Sequence, residues 1–178
     1  MSRKQHLKRA RRGNKISRDS VFAPLGLVSG GPITPDMLDR LEEASFKLVE
    51  SGVCPEVDVP TTHTFTKHSY VREGVMPAGS IIIGHHHLTH HHCVVLKGTM
   101  SILNPDRSVT KIVAPATFLA GPGRKVGFMH TDVVMQNIHD IEGLPTESID
   151  ALEECIYRRT EAFKRFALKK SEQKAIPV

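Results

Sequence analysis

Residues 79–98 read Gly79-Ser-Ile-Ile-Ile-Gly-His85-His86-His87-Leu-Thr-His90-His91-His92-Cys93-Val-Val-Leu-Lys-Gly98, which puts six of the chain's eleven histidines within eight positions. β-Branched runs flank the cluster and glycines punctuate it, so the stretch reads as two extended segments joined by a short turn. Successive side chains of an extended segment point to opposite faces. His85 and His87 then share one face and His86 takes the other. Past the turn, His91, Cys93 and Val95 share a face, with His90, His92 and Val94 opposite. Imidazoles two positions apart can grip one ion, and His91 is the natural third ligand. His86, His90 and His92 read as surface residues, and His63, His68 and His139 as ordinary polar ones. The run lies inside the chain between strand-like segments, unlike a purification tag, which would sit at an end.

The surroundings are β-rich. Tyr70–Met76, Ser80–His87, His91–Lys97, Thr99–Leu103, Val109–Val113, Thr117–Leu119, Lys125–His130 and Val133–His139 form eight short runs divided by Gly, Pro and Asn-Pro-Asp turns, the pattern of an antiparallel sandwich or barrel. Lys97-Gly98 and Asn104-Pro105-Asp106-Arg107 each close a hairpin. Gly121-Pro122-Gly123-Arg124-Lys125 has no helix after it and reads as a turn, not a phosphate cradle.

Helices flank this region. Thr34 is a good N-cap and Pro35 suits the first helical position; Leu38, Leu41, Ser45 and Leu48 recur at helical spacing until Gly52 stops them. A second helix is expected from about Thr146 to Lys170, striped by Ile149, Leu152, Ile156, Phe163 and Phe166, with acids early and bases late, as its dipole favours. The layout is a basic arm (1–18), a linker and helix (19–60, with Ala23–Pro35 as linker), a β-barrel (61–140) and a C-terminal helix and tail (141–178).

With 178 residues and 39% hydrophobic content, one domain with appendages is the default. No apolar run approaches a membrane span, and the basic amino terminus lacks the hydrophobic segment of a secretory signal. A cytoplasmic product, or a virion component, is the expectation. Cys54, Cys93 and Cys155 form no C-x-x-C pair and read as free thiols. The net charge of +5 is unevenly placed: residues 1–18 carry eight bases and no acid, leaving the other 160 residues at −3. An arm bearing Arg3, Lys4, Lys8, Arg9, Arg11 and Arg12 suits nucleic acid, contacted without sequence preference, or an acidic protein groove.

The pattern Gly79-x5-His85-x-His87-x3-His91-x6-Gly98 resembles the first motif of the cupin superfamily, with His91 where a cupin usually has Glu. The second motif is only partly kept: Ala120-Gly121-Pro122-Gly123 resembles its turn, but Val126 stands where the ligand is expected. His130, on the same strand face as Val126 and Phe128, is the candidate fourth ligand. More loosely, the run from Pro77 through Gly98, Pro122-Gly123 and Val126-Gly127-Phe128 to His130-Thr131-Asp132 is similar to small cupin-like proteins of tailed bacteriophages. The resemblance implies a mainly β, jelly-roll-like antiparallel barrel, often dimeric, with any ion inside its mouth. A ligand set of His85, His87, His91 and His130 lacks a carboxylate, which favours zinc, iron, nickel or copper over manganese.

Two functions follow. The first is a non-catalytic structural or assembly protein of a phage virion, attached to copies of itself or to other virion proteins by the arm and helices, with a metal site in the barrel. The second is a metal-dependent dioxygenase or isomerase of small molecules. Acids on the expected strands are scarce, only Glu73 and Asp132 lying on or beside them, and this tilts the reading toward assembly, with no catalytic residue assigned.

Overall fold

The strand runs read from sequence appear in a computed structural model of the chain, which describes residues 22–27 and 29–175; the basic arm lies outside the described residues. After helix α1 (Pro35–Glu50) come strands β1 (Thr61–Phe65), β2 (Ser69–Met76), β3 (Ile81–Ile83), β4 (His86–His87), β5 (His91–Lys97), β6 (Thr99–Leu103), β7 (Val109–Val113), β8 (Ala116–Ala120), β9 (Val126–Met129) and β10 (Val133–Asp140). Helix α2 (Ile149–Ile156), strand β11 (Tyr157–Arg158) and helix α3 (Glu161–Ala175) complete the chain.

Pairing fixes the topology. β2 pairs with β10, β3 with β9, β5 with β8 and β6 with β7, all antiparallel, so the first core strand meets the last and the innermost two form a hairpin. This is one long hairpin rolled up on itself, the jelly roll. It yields a five-stranded sheet, β1-β2-β10-β5-β8, facing a four-stranded one, β3-β9-β6-β7. The sheets form an open sandwich and do not close into a continuous barrel.

Val95, Val133, Met76, Met100, Ile102 and Met129 form the core between the sheets. Gly98 makes the tight β5–β6 connection possible: its φ is +91°, and a Cβ there would lie 2.1 Å from the carbonyl oxygen of Asp132.

Thr34 caps α1 as expected, its hydroxyl accepting from Met37 N. The stretch read as a linker is partly strapped to the sheet. Phe22 and Leu27 are buried against Leu103 and Val126, and the buried Arg107 guanidinium donates to the carbonyls of Leu27 and Gly31.

Two expectations are corrected. The single C-terminal helix is broken at Tyr157, which turns extended so that β11 can pair with β4. Its stripe divides accordingly: Leu152 and Ile156 pack with Tyr70 and Ile141, while Phe166 stacks on Phe46 of α1 and Phe163 lies tilted beside it. The run Ser80–His87 is likewise interrupted at Gly84 and His85, where the chain leaves β3 for β4. Among the described residues no helix is long and apolar enough to cross a membrane.

Candidate metal centre

Three histidines from three strands meet at one end of the sandwich. His91 opens β5 and His139 lies near the end of β10. Because Cys93 opposes Asn137 and His92 opposes Ile138, the antiparallel register sets His91 against His139. His87 reaches them from β4, whose backbone is held on both sides: its N–H and carbonyl bond Gly123 at 2.9 Å each way, and Tyr157 pairs with it across β11. One ring nitrogen of each histidine lies within 4.8 Å of the others. The rings are nearly parallel, with centroids 3.7 Å apart for His87 and His91 and 4.8 Å for His91 and His139. Tyr157 stands edge-on to His87 and His139.

Burial decides the charge of these groups. His139 is wholly buried and His91 nearly so. Desolvation, then repulsion from the neighbouring imidazoles, pushes the His87 pKa down to about 2. Desolvation likewise takes His139 to about 4 and lowers His91. All three are therefore neutral near pH 7, the state in which an imidazole offers a lone pair. His91 Nδ1 lies 3.3 Å from the carbonyl of Thr89; donation there leaves Nε2 as the acceptor. Nδ1 of His87 and of His139 is buried with no hydrogen-bond partner. Such groups cost on the order of 1–3 kcal/mol each unless something occupies them.

The donor set fits a divalent transition metal in type, number and burial. Ligand nitrogens about 2.1 Å from an ion lie roughly 3.4 Å apart in a tetrahedral shell, so the three stacked rings must draw together and turn for their lone pairs to meet on one.

The structure brings together two of the four sequence-derived ligands and adds a third. His87 and His91 are in the cluster. His85 is not: the chain irregularity at Gly84 breaks the strand alternation, and its ring packs on Tyr157 and Phe163 instead. It still lines the adjoining cavity, where burial pushes its pKa down to about 4. His130 is not in the cluster either. It shares the outer face of β9 with Val126 and Phe128, which pack under the Phe22–Leu41 segment, and it hydrogen-bonds Ser101 Oγ at 2.7 Å. His139, read as an ordinary polar residue, is the third member. Alternation from Val133 already puts Met135, Asn137 and His139 on one face, and only the β10–β5 pairing was missing. His90 and His92 are exposed, and His86 lies 3.3 Å from the Arg158 guanidinium.

A cavity of about 430 Å³ adjoins the cluster, lined by His85, His87, His91, Cys93, Asn137 and Tyr157 among others. Cys93 donates weakly to Asn137 Oδ1, and burial pushes its thiol up to about 11, so it is protonated at neutral pH. Behind the wall, buried Glu153 of α2 accepts from Tyr70 at 3.0 Å and from Arg159 at 2.7 Å and lies 3.6 Å from Arg72 Nε. Sequence reasoning missed this acid because it looked for carboxylates on strands. Glu73 points to the outer face, where Gln136 bonds it.

No family model matches the chain, and no curated protein matches it. Solved structures do match in part. A cupin superfamily protein from Desulfitobacterium hafniense is 11% identical, covering 49% of this chain and 81% of its own, with a TM-score of 0.40. An acetylacetone dioxygenase from Acinetobacter johnsonii is 18% identical over 49% of this chain and 65% of its own, also at 0.40. The EutQ protein of Clostridium difficile is 13% identical over 56% and 74%, at 0.42. Similarity at this level carries no argument, so the fold reading rests on the strand order itself.

Proposed function

We propose that this chain is a metal-binding jelly-roll protein of the cupin kind, in which His87, His91 and His139 hold one divalent transition metal beside a cavity for a small organic molecule. The observation that carries the reading is the meeting of three buried or half-buried histidines, each with a ring nitrogen within 4.8 Å of the others, of which His87 and His139 have an Nδ1 without a hydrogen-bond partner. Held by these three histidines, such an ion would supply Lewis acidity toward a small molecule in the cavity. The chain's own residues do the rest: Thr89 orients His91, and Tyr157 and the β4–β11 pair fix His87. A dioxygenase or isomerase is the matching reaction class. Elemental analysis of untagged protein reconstituted with zinc, iron, nickel or copper tests this. About one ion per chain in the wild type and almost none in His91→Ala is the expected result. Sub-stoichiometric metal in the wild type refutes it.

The assembly reading has its own support. Leu96 and Leu119 lie exposed on neighbouring strands of the five-stranded sheet's outer face, which suits contact with another copy or another protein, as in a virion. The basic arm adds a means of holding nucleic acid. Native mass spectrometry of the full chain and of a chain lacking residues 1–18 separates these contributions.

A further inference from the structure

The cavity wall is mostly apolar, with Met76, Met100, Ile102, Phe118, Met129 and Met135 spanning both sheets. Its charges are not balanced. At the rim, Lys170 is paired with Glu56, and Asp58 is exposed to solvent. Arg72 is partly matched by Glu153 at 3.6 Å, yet its Nε has no hydrogen-bond partner and Nη2 reaches only Thr61 at 3.5 Å. Lys125 is different. It sits just before β9 and lines the cavity together with Gly127 and Met129. Its carbonyl accepts from Gly84 N at 2.9 Å, but its ammonium has no hydrogen bond or ion pair among the described residues.

We propose that this cavity takes a small apolar carboxylate, whose anionic end is received by Lys125, with the unspent donors of Arg72 on the opposing sheet. The inference rests on the metal reading for part of its force. Three neutral imidazoles bring no negative charge, so a divalent ion held by them would keep both of its charges beside the cavity that Lys125 also lines. Uncompensated charge in a partly buried site is costly, and an anionic ligand removes that cost. Charge-assisted hydrogen bonds from an ammonium to a carboxylate are also the stronger kind. The volume suits an aromatic or medium-chain acid.

Calorimetric titration of the full chain with benzoate and hexanoate, against benzamide and hexanamide, tests this in both chelator-treated and metal-loaded protein. The acids are expected to bind at least about tenfold more tightly than their amides in the wild type, in Lys125→Arg, and in either metal state. Lys125→Met should lower that acid preference at least about fivefold in both metal states while keeping the wild-type metal content, Arg72 retaining the remainder. Equal affinity in the wild type, an acid preference unchanged in Lys125→Met, or no binding of any of the four compounds overturns the proposal. Metal content measured on the same samples reports separately on the histidine cluster, because the acid preference is read with and without the ion.

Discussion

Acidification should unfold the metal-free protein earlier and more steeply than its carboxylates alone require. His85, His87 and His139 are buried as neutral imidazoles, with pKa values pushed down to about 4, about 2 and about 4. Unfolding returns each to about 6.5. The unfolded chain therefore binds protons that the folded chain refuses, and stability present above pH 6.5 is lost as pH falls toward 4. At pH 5 each imidazole has cost about 2 kcal/mol, about 6 kcal/mol for the three. A domain of this size is stable by roughly 5–15 kcal/mol in total, so this loss is a large share of it. Urea unfolding of chelator-treated protein at pH 7, 6 and 5, followed by circular dichroism, reads the loss directly. A loss below about 2 kcal/mol between pH 7 and 5, the share of a single imidazole, would refute the claim that the three are held neutral by burial. Histidine proton resonances give an independent reading: these three should not titrate above pH 5.

Gly98→Ala should destabilise the fold by at least about 2 kcal/mol, because the positive φ and the approach of the Asp132 carbonyl both oppose a Cβ; a melting temperature within a degree of wild type would contradict this. Leu119→Lys should reduce any self-association seen by native mass spectrometry without lowering metal content, and an unchanged oligomer distribution would remove this face from the assembly reading. Deleting residues 1–18 should abolish nucleic-acid binding that weakens steeply with salt; binding that survives deletion would exclude the arm.

Most of the β architecture was legible because periodicity and turn chemistry are local. The runs from Val109 to Val113 and from His91 to Lys97 keep their expected bounds, and the Thr34 cap and Pro35 start of α1 do as well. What was hidden depends on partners distant in sequence. Thr160, whose hydroxyl caps the next helix at Phe163 N, is the one local sign of a break; that Tyr157 and Arg158 turn extended to pair with β4, opposite Gly123, depends on residues about seventy positions away. The same pairing holds His87 in place. His139 was missed because strand alternation gives its face but not its neighbour, and the rolled hairpin that sets β10 beside β5 appears only with the whole topology. His85 shows the converse failure, since two-residue alternation assumes an unbroken strand and the chain breaks at Gly84.

The most direct test of the metal centre is an anomalous difference map from crystals of the metal-loaded protein, collected at the absorption edge of the ion. A single strong peak with nitrogens of His87, His91 and His139 about 2.0–2.1 Å away is the predicted result. A peak on His85 or His130 in place of His139, or no peak within reach of the three rings, would contradict the account.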